Sequence, residues 1–225
     1  MAACAFSCTL VSVHAAGPEA GAAAARREFL AATRLTANAE HGAQLFETCA
    51  ACHGADGRGT SDGSVPAIAG QYAPVLLKQL VDFRHEQRWD ERMQHFTDQH
   101  HLATTQDLAD VAAYAASLPR STIPLDNIGD GLSLREGASV YFRACDACHG
   151  PLGEGNAQHL NPRLAGQRYA YLLKQLTETA AGGRPGMDQA HVKRLHDLTP
   201  QQIRGVADYL SRTSPDLSSR PHAKL

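Results

Sequence analysis

Two copies of one hexapeptide carry the residues best suited to chemistry in this chain. The first copy, CAACHG, runs from Cys49 to Gly54, and the second, CDACHG, runs from Cys145 to Gly150. In each copy two residues separate a pair of cysteines, and a histidine follows the pair directly. Such a group can attach a haem through two thioether bonds and ligate its iron, bind zinc, or act as a redox dithiol.

Covalent haem is favoured over the other two chemistries. A structural zinc site needs four ligands, and neither copy is accompanied by a second cysteine pair. A thioredoxin-like dithiol lies among alternating strands and helices, and no stretch of this chain alternates at the period of a strand. The fused histidine is typical of haem attachment. We therefore predict two haem c groups, attached by Cys49, Cys52, Cys145 and Cys148 and bound through iron by His53 and His149.

The similarity between the two copies extends over a whole module. His53 and His149 are 149 − 53 = 96 residues apart, and PAIAGQYAPVLLKQL from Pro66 matches PRLAGQRYAYLLKQL from Pro162 at the same offset. This repeat indicates a tandem duplication of one small domain. The predicted boundaries are a first haem domain over 41–118, a linker over 119–134, a second haem domain over 135–213 and a polar tail over 214–225.

The apolar pattern of each module predicts helices. Leu76, Leu77 and Leu80 fall on one helical face, and the second module repeats the pattern. Two segments have the form of helix caps, one beginning at Thr199 and one at Ser133. Four aromatic residues are expected to pack the first helix of each module against the last, namely Phe46 with Tyr114 and Phe142 with Tyr209. The sequence therefore predicts an all-α fold.

A haem iron with one histidine ligand needs a second axial ligand from the same module. The chain has three methionines, and the two internal ones, Met93 and Met187, follow their haem histidines by 93 − 53 = 40 and 187 − 149 = 38 residues. Methionine usually fills gaps in cores, but this repeated placement predicts that both bind iron. Nearby histidines compete for the role, and they are His95, His100, His101, His191 and His196. His100 and His196 hold equivalent places, which leaves bis-histidine ligation open.

Several polar residues around each haem are repeated as well. The carbonyls of Pro66 and Pro162 are expected to accept the Nδ1 protons of the haem histidines and so to orient the two rings. Four repeated side chains are predicted to bind haem propionates, with a solvated helix end as the alternative: Gln71, Arg88, Gln167 and Arg184.

Together these features resemble the dihaem cytochrome c4 family of class I c-type cytochromes. The tandem Cys-x-x-Cys-His modules, each followed by AGQ, LLKQL, an arginine and a methionine, carry the resemblance over residues 40–212. It implies two tandem class I cytochrome c-like domains, each with covalent haem c, related by a pseudo-twofold axis. It also implies electron transfer on the periplasmic side, with Met93 and Met187 as the distal ligands.

The residue types are compatible with three functions. Histidine and methionine fill both axial positions, so the iron can change oxidation state but binds substrate poorly, which predicts an electron carrier without catalytic residues. A dihaem enzyme, such as a peroxidase or thiosulfate dehydrogenase, would need an open axial position. A cytochrome subunit of a dehydrogenase complex, such as flavocytochrome sulfide dehydrogenase, would have the same fold. The expected partners are a terminal oxidase, a bc1-type complex or a dehydrogenase.

The composition and the N-terminal residues give further expectations about domain number, partners and location. The 225 residues suffice for two small domains, and a formal net charge of −2 without a basic patch makes nucleic acid an unexpected partner. Residues 1–15 resemble a signal peptide without a basic n-region, which predicts a periplasmic protein, with peripheral membrane association left open. That segment contains Cys4 and Cys8. Residues 16–40 are predicted to form an Ala-rich helical extension.

Overall fold

The computed structural model describes residues 18–120 and 127–214, which contain ten helices. They are α1 (Pro18–Ala32), α2 (Ala39–His53), α3 (Ala73–Arg84), α4 (Glu91–Thr97), α5 (Thr105–Ser117), α6 (Leu134–Ala144), α7 (Asp146–His149), α8 (Tyr169–Ala180), α9 (Gln189–His196) and α10 (Pro200–Arg212). Within these ranges the β-structure is one isolated antiparallel bridge between Asn156 and Asn161. The predicted all-α fold is confirmed.

The helices form two modules with the same order. The first module consists of α2–α5, and the second consists of α6–α10, where the helix corresponding to α2 is interrupted at Cys145. The predicted signal peptide, part of the predicted linker and nearly all of the predicted tail lie outside the described residues. In the described ranges, no helix has the length and apolar character needed to cross a membrane.

The first and last helices of each module cross at a glycine. A Cβ on Gly42 of α2 would collide with the backbone of Asp110 in α5, and a Cβ on Gly137 of α6 would collide with Gly205 in α10. Close approach of the backbones therefore requires glycine at both crossings.

Aromatic rings complete both crossings. The ring centroids of Phe46 and Tyr114 are 5.2 Å apart, and those of Phe142 and Tyr209 are 5.8 Å apart. The predicted packing is confirmed for Phe46, which is 3% exposed. Phe142 contacts Tyr209 but is 49% exposed, and the buried ring on Tyr209 is that of Tyr141, at 5.2 Å between centroids.

Helix starts were predicted correctly in one of two cases. Thr199 caps α10 through a capping box with Gln202, as expected. The predicted cap at Ser133 is wrong, because its side chain makes no hydrogen bond to α6 and its backbone (φ −111°, ψ 13°) is not extended. At the corresponding place in the first module, Asn38 caps α2 by accepting from the backbone N–H groups of Glu40 and His41.

The Ala-rich segment forms α1 and packs against the first module. Ala25 and Ala32 are buried in the apolar core of that module. The Glu28 carboxylate accepts a hydrogen bond from Arg84 at 2.6 Å and lies 2.6 Å from the imidazole Nε2 of His85. Small side chains and one buried ion pair therefore attach α1 to the end of α3. In the described part of the chain the second module has no corresponding helix.

Candidate functional site

Each hexapeptide histidine is buried and held by one hydrogen bond. His53 ends α2 and His149 ends α7, and both are 7% exposed. The Nδ1 atom of His53 lies 3.0 Å from the carbonyl oxygen of Pro66, and that of His149 lies 3.2 Å from the carbonyl oxygen of Pro162. Both predicted hydrogen bonds are therefore present. They fix each ring and leave Nε2 for another bond.

Glycine in the loop after each hexapeptide makes this contact possible. Gly59 (φ 67°) and Gly155 (φ 73°) adopt left-handed backbone conformations, and a Cβ on either residue would collide with the carbonyl of Pro66 or Pro162. The loop can therefore bring the proline carbonyl beside the histidine ring only with glycine at this position. The identical arrangement in both modules shows that the loop geometry was duplicated with the hexapeptide.

The two imidazoles are suited to bind a metal through Nε2. Burial lowers the pKa of His53 and of His149, and the hydrogen bond to the proline carbonyl opposes this effect. A neutral ring that donates its Nδ1 proton to a carbonyl keeps the Nε2 lone pair for an iron. Among smaller effects on His53, Arg92 lowers its pKa and Asp90 raises it, so the first turn of α4 lies close to this ring.

The four hexapeptide cysteines are unpaired thiols. Burial raises the pKa of Cys49 and of Cys145 to about 11 in each case. Dithiol exchange requires the thiolate, which these two buried thiols do not readily form. Thioether attachment instead adds the S–H group across a haem vinyl group. The state of the thiols therefore fits covalent haem better than a redox dithiol.

The predicted distal methionines occupy different places in the two modules. Met93 is the third residue of α4, and its backbone N–H donates to the carboxylate of Asp90, the N-cap of that helix. Met187 instead lies in a turn before α9, where its backbone N–H donates to the carbonyl of Arg184 at 3.0 Å. Both methionines are half-buried.

The histidines that compete with these methionines have different surroundings. His100 and His196 are exposed, and His101 contacts the carboxylate of Asp98 at 3.0 Å. The ring of His95 also lies on this exposed side of the first module. His191 is half-buried, and its ring centroid is 6.1 Å from that of His149. Burial lowers the pKa of His191, and the neighbouring His149 lowers it further.

Two repeated glutamines join the modules. The Gln71 amide donates to the carbonyl of Arg163 at 3.0 Å and accepts from the backbone N–H of the same residue at 3.0 Å. The Gln167 amide pairs in the same way with the backbone of Ala67, at 2.8 and 3.2 Å. Because 167 − 71 = 163 − 67 = 96, the two pairs are equivalent. The structure shows that these amides connect the two modules, and their predicted role toward haem propionates stays a prediction.

The repeated arginines also meet between the modules. Arg88 donates to Gln79 of its own module and to Tyr171 and Gln175 of the second module, at 2.6–2.8 Å. Arg184 donates to Gln79 of the first module at 2.7 Å. We call this group of residues, together with the Gln71 and Gln167 pairs, the module interface.

Burial governs the charges at the module interface. Arg88 is 9% exposed, and burial together with the nearby Arg88 lowers the pKa of Arg184 to about 10. Burial also raises the pKa of Asp82, although Lys78 opposes this effect. Two adjacent guanidinium groups therefore place concentrated positive charge between the two modules. The predicted role of Arg88 and Arg184 toward haem propionates stays a prediction.

Comparisons with known proteins agree with these features. The Cytochrome c family model matches residues 39–119 and 134–214. Cytochrome c4 of Pseudomonas aeruginosa is 36% identical over 168 residues, which are 72% of this chain and 82% of that protein. A thiosulfate dehydrogenase electron acceptor of Stutzerimonas stutzeri is 33% identical over 173 residues, covering 72% and 77% of the two chains. The crystal structure of reduced cytochrome c4 from Pseudomonas stutzeri superposes with a TM-score of 0.69 at 29% identity, over 80% of this chain and all of the other.

Two helical modules, each with a buried Cys-x-x-Cys-His histidine and a matching family model, define a tandem c-type cytochrome. The chain therefore has two covalently bound haem c groups. The coverage and sequence identity of these matches also show that the chain belongs to the dihaem cytochrome c4 family. Its relatives in that family are electron carriers, so this chain is a dihaem electron carrier.

Proposed function

We propose that this cytochrome works in the periplasm and carries electrons along a respiratory chain to a terminal oxidase or reductase. The observation that carries the electron-transfer part of this proposal is the pair of buried histidines, each fixed by a proline carbonyl. Residues 1–15, with their resemblance to a signal peptide, support the periplasmic location. Its redox partners are expected to be a terminal oxidase, a bc1-type complex or a dehydrogenase.

The residues of the chain prepare each site for electron transfer. When bound, haem supplies an iron that changes between ferric and ferrous states by one electron. Cys49 and Cys52, or Cys145 and Cys148, would attach the haem, and His53 or His149 would bind its iron through Nε2. Met93 would be the second iron ligand in the first module. A ring held by a carbonyl and shielded from water needs little rearrangement when the charge on its metal changes.

The module interface supports transfer between the two sites. Reciprocal pairs from Gln71 and Gln167 fix one module against the other through backbone atoms rather than through mobile side chains alone. Arg88 and Arg184 place positive charge at the same contact. A rigid contact would keep the two haem sites at a constant distance, which suits the transfer of an electron from one module to the other.

A thiosulfate dehydrogenase is a second candidate for the electron donor. The similarity to a thiosulfate dehydrogenase electron acceptor favours this partner, because the two chains match over 77% of that protein, including both modules. In that case electrons would enter from the oxidation of thiosulfate. The carrier itself would have the same chemistry, and no catalytic residue of its own would be needed.

The test is the spin state of the purified protein with both haems attached. A carrier with two filled axial positions should be low-spin in both modules, and the reduced protein should not bind carbon monoxide. Met93→Ala should open the first haem to carbon monoxide and leave the second haem closed, which provides the positive control. High-spin haem and rapid carbon monoxide binding in the unmodified protein would instead support a dihaem enzyme.

A further inference from the structure

The short helix that follows the interface arginine begins in the same way in both modules. Asp90 caps α4, and its carboxylate accepts from the backbone N–H of Met93 at 3.2 Å. Asp188 caps α9, and its carboxylate accepts from the backbone N–H of His191 at 3.0 Å. The two N-caps therefore align, and Met93 corresponds to His191, each being the third residue of its helix. Met187 lies directly before the cap Asp188 and is therefore outside the aligned helices.

The start of each short helix faces the haem histidine of its own module. In the first module, Asp90 and Arg92 are close enough to act electrostatically on His53. In the second module, the imidazole of His191 itself lies beside that of His149. The first turn of the short helix is thus close to the haem histidine in both modules. In the second module the third residue of that helix is His191.

The distance between the two rings in the second module suits a shared metal. A metal–imidazole nitrogen bond is about 2 Å long, and the bonding nitrogen lies about 1 Å from the ring centroid, so two imidazoles on opposite sides of one metal have centroids about 6 Å apart. The centroids of His149 and His191 are 6.1 Å apart, with 65° between the ring planes. Rotation about the axis through the metal permits such an angle. Nδ1 of His149 is held by Pro162, so its remaining nitrogen is the one available to a metal.

Among the half-buried histidines of the described residues, His191 is distinguished by its lack of a polar partner. His41 contacts Asp110, His85 contacts Glu28, and His101 contacts Asp98 through ring nitrogens. Among the described residues, none forms a hydrogen bond with the half-buried ring of His191. A half-buried imidazole that lacks a hydrogen-bond partner and lies beside a haem histidine is suited to be a metal ligand.

The turn that contains Met187 is bound to the first module. Gly186, the residue before it, donates its backbone N–H to the carbonyl of Gln87 in the first module at 2.9 Å. The side chain of Arg184 is bound at the module interface as well. The turn that contains Met187 therefore belongs to the contact between modules, whereas α9 lies over His149.

We infer that His191, and not Met187, is the second axial ligand of the haem iron in the second module. This inference rests on the proposed role of His149 as the first ligand of that iron. The first module would then have histidine and methionine ligands, and the second would have two histidines. Because methionine ligation raises the reduction potential, the first haem would be the stronger electron acceptor, and electrons would collect in the first module.

The test uses the absorption of the ferric protein with two haems per chain. A methionine sulfur on ferric haem produces a weak far-red charge-transfer band, which bis-histidine haem lacks. The unmodified protein should show this band for one haem. Met187→Leu should leave it unchanged, and His191→Met should double it. His196→Ala, which alters an exposed histidine on the same helix, is the matched control and should change nothing.

Two results would overturn the inference. One is a band for two haems in the unmodified protein, and the other is a band that halves in Met187→Leu. Failure of the proposed function has a different signature, because it would appear as fewer than two covalent haems or as high-spin iron. The unmodified protein and Met187→Leu decide the question even if the His191 variant does not fold.

Discussion

The two modules fix their haem histidines in the same way, but they stabilise the segment on the distal side of the haem site through different contacts. In the first module, the Arg84 guanidinium donates to the carbonyls of Thr97 and Leu102, which flank the end of α4, and to Glu28 of α1. At 84 + 96 = 180 the second module has Ala180, which cannot make any of these contacts. The distal segment of the first module is therefore clamped by a charged cluster that the second module lacks.

The length of the distal segment differs in the same region. From the cap Asp90 to the cap Thr104 the first module spans 104 − 90 = 14 residues, and from Asp188 to Thr199 the second spans 199 − 188 = 11. The attachment side depends on glycine conformations and backbone hydrogen bonds that tolerate no such change. After the duplication, the distal side of each haem site could diverge, whereas the attachment side could not.

Removal of one cysteine pair should have the largest effect on this comparison. Cys49→Ala combined with Cys52→Ala should leave one covalent haem, in the second module, and no far-red methionine band. Cys145→Ala combined with Cys148→Ala should also leave one haem, but with the band retained. Mass spectrometry and ferric absorption measure both outcomes. Identical spectra from the two variants would contradict the difference in distal ligands.

Substitution at the module interface should affect both modules equally. Gln71→Ala or Gln167→Ala would leave a backbone N–H and a carbonyl without their partner, at a cost of about 1–3 kcal/mol in the free energy of unfolding. Because the two contacts are reciprocal, the two variants should lose similar amounts in denaturant titrations of the holoprotein. Gln99→Ala, at an exposed glutamine, is the control. A large loss in one variant and none in the other would mean that the interface is asymmetric.

Loss of the charged cluster should weaken the first module alone. Burial works to raise the pKa of Glu28, but His85 and Arg84 outweigh it and lower the pKa below its ordinary 4.5. Glu28→Gln should therefore cost about 1–2 kcal/mol near neutral pH. A carboxyl with a lowered folded pKa stabilises above pH 4.5 and loses that contribution as the pH falls through the folded pKa.

The difference between the unmodified protein and Glu28→Gln should accordingly shrink below pH 4.5, measured by chemical unfolding at each pH. Glu47→Gln, at an exposed position in α2, should show no such difference. A cost that stays constant down to strongly acidic pH would show that the charge of Glu28 contributes nothing.

The interface arginines should have the smallest effect. Buried positive charge favours ferrous over ferric iron, so Arg88→Leu and Arg184→Leu should each lower the reduction potentials. Arg88→Leu should act more on the first haem and Arg184→Leu more on the second. Redox titration measures the shifts, with the exposed Arg26→Leu as control. Unchanged potentials in both variants would limit these residues to joining the modules.

Much of the fold and the attachment side could be predicted from the sequence because those features are local and duplicated. The hexapeptide, the offset of 96 and the prolines sufficed to predict His53 with Pro66 and His149 with Pro162. The interface roles of Gln71 and Gln167 could not be predicted, since their partners lie in the other module.

The distal side of the second module shows a different limit of the sequence. Counting from the haem histidine pairs Met93 with Met187, whereas the structure aligns the helix caps Asp90 and Asp188 and so pairs Met93 with His191. The signal was present as an aspartate three residues before each, but segments of unequal length concealed it.

The most direct test of an unequal pair of haems is a stepwise reduction of the unmodified protein, followed at the far-red methionine band. Methionine ligation gives the first haem the higher potential, so the band should disappear with the first electron. The second electron should then reduce a haem that never contributed to the band. A band that disappears with the second electron, or equally in both steps, would show that the two haems do not differ in this way.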